Sequence, residues 1–125
     1  MIRSFRVPLA ALAVLAVCAH AATAVAQAQA KMADGVLTNA AGMTLYTFDK
    51  DADGKSACNG PCAANWPPLM AAADAKASGD WSIITRDDGT KQWAYRGKAV
   101  YLWAKDQKPG DRTGDGFNSV WHVAK

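Results

Sequence analysis

The chain contains no glutamate: all eleven of its acidic residues are aspartate. Glutamate is a strong helix former and aspartate is not, so this absence, together with ten glycines, argues against a helical fold and for turns. It also removes a calcium loop of the helix-loop-helix kind. Asp49, Asp51 and Asp53 followed by Gly54 match its opening half, but the glutamate required at its last position is Gly60 here. Histidine is nearly as scarce, with only His20 and His122. No serine sits in a G-x-S-x-G elbow, and no glycine-rich turn links a strand to a helix, so nucleophilic hydrolysis and phosphate cradling lack their usual residues. His122, between Trp121 and Val123, reads as an outward-facing strand residue.

Long hydrophobic runs are missing too. The one apolar stretch, Val7 to Val17, is too short for a stable membrane span. It follows Arg3 and Arg6 and precedes the small-residue patterns Ala24-Val25-Ala26 and Ala28-Gln29-Ala30, the order of a secretory signal peptide. Cleavage after Ala26 is expected first and after Ala30 second, leaving no transmembrane segment in the mature chain. Leu15-Ala16-Val17-Cys18 offers a lipid-attachment box, which Val17 weakens because a small residue is expected there. Without Arg3 and Arg6 the basic residues nearly balance the aspartates, and nothing recommends nucleic acid as a partner.

Cysteine is sparse: Cys18 leaves with the signal, and Cys58 and Cys62 remain. In an exported protein two close cysteines are most simply one disulfide, here closing a short loop before Trp66. The alternative is a periplasmic copper-binding or thiol-redox protein that uses Cys58 and Cys62 as thiolates, with His122, Met43 or Met70 as a further soft ligand. Thioredoxin-like copper carriers have that C-x-x-x-C spacing, but their fold needs more helix than this chain offers.

What the chain has in abundance is repetition. Gly42, Leu45, Tyr46, Phe48, Asp51 and Trp66 recur as Gly97, Val100, Tyr101, Trp103, Asp106 and Trp121, always 55 residues later. Each copy begins as a hairpin. Val36 to Thr38 and Thr44 to Phe48 flank one turn, and Lys91 to Tyr95 and Ala99 to Trp103 flank another. Trp81 to Thr85, ahead of Arg86-Asp87-Asp88-Gly89, adds a strand that makes the second copy a meander. Val120 to Val123 reads as a closing strand, whereas Pro67 and Pro68 hold its counterpart to an edge or extended segment. Ala71 to Ser78 reads as a helical turn or a linker.

Alternation puts Tyr46 and Phe48 on one strand face and Tyr101 and Trp103 on its equivalent. These rings are either core or a ligand-binding shelf, and a domain of about 100 residues needs bulky side chains to close its core. Asp51 and Asp106 follow where each strand ends, placed to accept loop amide groups. A catalytic carboxylate has no reason to occur twice at matched positions.

Tyr46-Thr47-Phe48-Asp49-Lys50-Asp51 and Tyr101-Leu102-Trp103-Ala104-Lys105-Asp106 resemble the signature of a bacterial family of predicted lipoproteins, or secreted repeats, with a Y-x-[FWY]-x-x-D motif. The likeness spans essentially the whole mature chain, including the Cys58 to Leu69 segment, Arg86-Asp87-Asp88-Gly89 and the Gly-Asp pairs at 110–111 and 114–115. It implies export and a repeat, and no reaction, cofactor or substrate. The lipid anchor it also implies is put in doubt by Val17.

The expectation is therefore an all-β protein: two tandem pseudo-symmetric antiparallel units forming a small sandwich or open barrel. Residues 1–26 would be the signal, 27–34 a flexible mature N-terminus, and 35–125 one domain of two repeats, 35–70 and 90–125, joined by 71–89. Its function would be that of an exported, non-enzymatic envelope or extracellular module without a cofactor, binding an unknown partner, glycan or small ligand.

Overall fold

A computed structural model describes residues 30–125. The expected signal peptide and the box at Cys18 lie outside the described residues. Among these, regular secondary structure is mostly strand, with a single short α-helix and one 3-10 turn, Phe117–Ser119. The strands are β1 (Ala30–Ala33), β2 (Val36–Asn39), β3 (Tyr46–Phe48), β4 (Trp81–Thr85), β5 (Lys91–Tyr95), β6 (Lys98–Ala99) and β7 (Trp121–Val123). They form three small antiparallel sheets: β1 with β2, β3 with β7, and β4-β5-β6.

Single bridges join these sheets into a longer order. Leu37 on β2 donates its amide to the Ala124 carbonyl beyond β7, β3 meets the Tyr101 segment, that segment meets Pro68, and Met70 meets Gln92 on β5. The sequence of neighbours thus runs β1, β2, β7, β3, the Tyr101 segment, the Pro68 to Met70 segment, β5, β4. It is nearly the same read from either end. The middle lies between Tyr46 and Tyr101, where the Tyr46 amide donates to the Tyr101 carbonyl at 2.8 Å and the Tyr101 amide to the Tyr46 carbonyl at 2.9 Å.

Equivalent bonds recur across that middle at the repeat offset. Asp49 N–H to Val120 O has its counterpart in Ala104 N–H to Asn65 O, and Ala124 N–H to Leu45 O in Leu69 N–H to Val100 O. Each bond joins one copy to the other, and each is answered in reverse. That is the isologous pattern of a symmetric dimer, built here within one chain. Pro67 and Pro68 replace His122 and Val123 of β7, so their segment lies extended against Tyr101 with fewer amides to offer.

Several expectations need correction. Residues 30–33, expected to be part of a flexible N-terminus, form β1 in register with β2, Ala33 opposite Val36 and Ala30 opposite Asn39. The reason is the intervening Asp34-Gly35, whose φ angles of 51° and 83° make the tight primed turn that a two-residue hairpin needs. The strand expected over Ala99 to Trp103 ends at Ala99, because Tyr101 turns its backbone groups to Tyr46 rather than to β5. Ala71 to Ser78, read as a helical turn or a linker, is a linker with one turn at Ala72–Ala75. The helix, α1 (Pro61–Asn65), lies instead in the cysteine segment, with Pro61 in its first turn, where a missing N–H costs nothing.

The two faces of the repeat strands bury two clusters. One gathers Tyr46, Trp66, Tyr101, Trp103 and Trp121 with Cys58, Ile84, Ala94 and Ala99. The other gathers Leu37, Leu45, Leu69, Trp93, Val100 and Ala124. Alternation along β3 and its equivalent produces this division: Tyr46 faces the first cluster and Leu45 the second.

Candidate functional site

The motif residues converge on the contact between copies. Tyr46, Tyr101, Trp66, Trp103 and Trp121 are buried, and Phe48 is half-buried, so these rings are core rather than an open shelf. Four of them stack in a row: Phe48 on Trp121 at 4.2 Å, Trp121 on Trp66 at 3.8 Å, Trp66 on Trp103 at 3.9 Å. The central pair is nearly parallel, with 2° between planes. Tyr46 meets Trp66 edge-on at 5.3 Å, and Tyr101 meets Trp121 edge-on at 5.1 Å. Such contacts add about 0.5–1.5 kcal/mol each beyond area burial. Gly114 is the reason the row closes: a Cβ there would stand 2.6 Å from the Trp66 ring and 3.0 Å from Trp103.

A buried tyrosine hydroxyl needs a partner, and each copy supplies the other's. Tyr46 donates to Asp106 Oδ2 and Tyr101 to Asp51 Oδ2, both at 2.6 Å. The second carboxylate oxygen holds a loop. Ala57 N–H donates to Asp51 Oδ1 at 2.7 Å, while Thr113 donates its amide at 3.0 Å and its hydroxyl at 2.6 Å to Asp106 Oδ1. Burial, then the adjoining carboxylate, raises both tyrosine hydroxyls well above their ordinary value. Burial likewise raises the Asp51 carboxyl, against the pull of Ala57, Tyr101 and the Arg86 charge. Tyrosines held un-ionised in this way are poor nucleophiles and poor bases.

The sequence reading missed Arg86, taken only as a turn residue. It is 5 % exposed, and its guanidinium donates to Ser56 Oγ, Gln92 Oε1, the Cys58 carbonyl and Asn59 Oδ1. Ser56 Oγ in turn lies 2.6 Å from the Tyr101 hydroxyl, which ties the cysteine loop to the Tyr101–Asp51 pair. Cys58 and Cys62 form a disulfide. Sulfurs so bonded are not thiolates, and nothing in the arrangement supports the copper or thiol-redox alternative. Among the described residues no group of three or more His, Cys, Asp or Glu is placed to hold a metal ion. His122 stands half-exposed against Asp49 at 2.8 Å, on the outer surface of β7.

The duplication read from spacing is thus carried through into reciprocal contacts. One protein-family model, described as a secreted repeat of unknown function, matches the chain twice, over residues 29–70 and 82–125. The chain belongs to that family. No curated protein and no solved structure matches it. A family of secreted proteins agrees with export, and no helix among the described residues is long and apolar enough to cross a membrane.

This secreted repeat also carries an open cleft of about 270 Å³ between β1-β2 and the 109–112 loop, bordered by Lys31, Asp34, Thr38, Thr44, Pro109 and Arg112. Gly42, the first residue of the repeat motif, shapes its wall. It packs so closely on Pro109 that a Cβ would stand 3.1 Å from the proline ring. Apart from Gly42, the cleft residues lie outside the motif, because the cleft lies where the two copies differ.

Proposed function

We propose that this secreted repeat is a non-enzymatic binding module of the periplasm or cell exterior. Its two copies form a rigid frame, and its loops and cleft engage a partner, glycan or small ligand. The observation that carries the reading is the use made of the motif residues. Both tyrosine–aspartate pairs are turned inward and spent on each other and on loop amides. Carboxylates so engaged position loops rather than reach a substrate. Variation between members of such a frame falls on the loops that it holds, the usual division between scaffold and recognition surface.

The test is a thermal-shift survey of the mature chain against envelope glycan fragments and small organic acids, with product analysis of each mixture. A saturable rise in Tm with one class and no chemical change supports the module. Turnover of any compound, lost in Asp51→Asn or Asp106→Asn proteins that stay folded, would overturn it.

A further inference from the structure

The duplication provides an internal control for the cleft. Thr38 bridges Thr44 in the first copy as Ala94 pairs with Ala99 in the second, so the two pairs occupy equivalent places. Ala94 and Ala99 are buried within the aromatic cluster, which also holds Cys58 and Ile84. Thr38 and Thr44 instead lie at the floor of the cleft, which is bordered by charged residues. The fold therefore closes this place without hydroxyls when it serves only structure. Where the place borders the cleft, it has two buried hydroxyls, and one of them, Thr44 Oγ1, has no hydrogen-bond partner among the described residues. The Thr38 hydroxyl donates a single long bond among the described residues, 3.4 Å, to the Lys31 carbonyl.

The mouth of the cleft is charged. Lys31 and Arg112 border it, and among the described residues neither has a carboxylate within ion-pair distance. No acidic residue precedes Asp34, so the preceding chain holds no side-chain carboxylate for them either. Among the described residues the Arg112 guanidinium donates only a 3.3 Å bond, to the Asp34 carbonyl. Two cations against the one carboxylate of Asp34 leave an excess of one positive charge, which suits a monoanion and disfavours a dianion. The fixed fork of a guanidinium fits a carboxylate, with Lys31 as a second point charge. Val36 and Pro109 give the interior an apolar wall. The volume lies just below the usual range for ligand pockets, which limits the occupant to a small molecule.

We infer that this cleft binds a small organic monocarboxylate, no larger than a monosaccharide acid, with its carboxylate between Lys31 and Arg112 and its body over Thr38 and Thr44. The inference rests on the binding-module reading and names the ligand class for it. The experiment is an amide chemical-shift titration of the mature chain at low salt with acetate, lactate, D-glucuronate and the neutral sugar D-glucose. At least one acid should give saturable shifts confined to residues 31–44 and 109–112, about tenfold tighter than glucose. Lys31→Gln and Arg112→Gln, both at exposed positions and so compatible with folding, should each weaken that acid about fivefold or more. No saturation by any acid below about 50 mM overturns the inference, as does binding that maps elsewhere or ignores both substitutions. Glucose binding in the cleft as tightly as the acids removes the carboxylate class yet leaves the module standing. The module itself falls only on turnover.

Discussion

Tyr46 and Tyr101 sit opposite one another where the two copies meet, each bonded through its backbone to the other and each with its hydroxyl on the other copy's aspartate. The arrangement is crossed: Tyr46 reaches Asp106, not Asp51, and Tyr101 reaches Asp51, not Asp106. Neither copy can therefore satisfy its own buried hydroxyl. Folding of one repeat is coupled to folding of the other at this point, and the pairs should behave as energetic links between copies.

Tyr46→Phe removes the hydroxyl and leaves Asp106 Oδ2 and the Gly114 amide, 3.2 Å from that hydroxyl, without it. Stability should fall by about 1.5–3 kcal/mol, the range for bonds to charged groups. In double-mutant cycles by denaturant unfolding, Tyr46→Phe should couple to Asp106→Asn by about 1 kcal/mol or more. Its coupling to Asp51→Asn should be smaller. The reverse order would contradict the crossed pairing.

Gly114→Ala tests the aromatic row. Its added carbon would meet Trp66 and Trp103, rigid rings already packed on both sides, and not the end of a flexible chain. A loss of about 1–3 kcal/mol is expected from overpacking. Near-ultraviolet circular dichroism should change with it, since the Trp66–Trp121 stack must shift.

These two tests probe features that stood at different distances from the sequence. The β4 and β5 boundaries were legible because alternation and turn residues are local signals. The repeat was legible because tryptophan, tyrosine and aspartate recur at one spacing. That Asp51 and Asp106 accept loop amides follows from their place after a strand. Their second bond does not, because its partner lies 50 or 60 residues away in the other copy. A signal existed: two buried tyrosines need two acceptors, and the motif supplies two aspartates. Asp34-Gly35 likewise announced the β1-β2 hairpin. Arg86 gave no warning, since a basic residue opening a turn is ordinarily exposed. The cleft was hidden because it depends on Thr38 and Thr44 differing from Ala94 and Ala99, whereas motif reading looks for agreement.

Stability should depend on pH at both ends. The native state holds the Tyr46 and Tyr101 protons more tightly than the unfolded chain, whose tyrosines titrate near their ordinary value of 10.0. Their contribution is thus complete below pH 10.0 and lost as pH rises beyond it. In an alkaline absorbance titration, neither should give tyrosinate signal before the fold is lost. Asp51 has the same sign at the acid end: its raised carboxyl makes a contribution that is full below 3.8 and lost as pH rises through the native value. Asp51→Asn should remove that component from a plot of unfolding free energy against pH.

Reduction of Cys58–Cys62 should have a modest effect. Loop-closure entropy for so short a ring is about 2 kcal/mol. Arg86 also holds the Cys58 carbonyl at 2.6 Å and Asn59 at 3.3 Å, so the loop keeps a second clamp after reduction. Denaturant midpoints with and without reductant should differ accordingly, with the tryptophan near-ultraviolet signal retained. Arg86→Met under reducing conditions should cost more than the sum of the two changes, because both clamps then fail together.

Positions 44 and 99 separate what the fold needs from what the cleft keeps. Thr44 and Ala99 are equivalent, and each is about 1 % exposed. Thr44 Oγ1 lacks a partner, so Thr44→Val should raise stability by about 1 kcal/mol by removing a desolvated hydroxyl at nearly constant volume. Ala99→Thr, within the buried aromatic cluster, should lower it by about 1–3 kcal/mol through crowding and burial of a new polar group. Measured together by denaturant unfolding, opposite signs would mean that the threonine at position 44 is kept at a cost to stability. Equal signs would mean that the two places differ in packing alone.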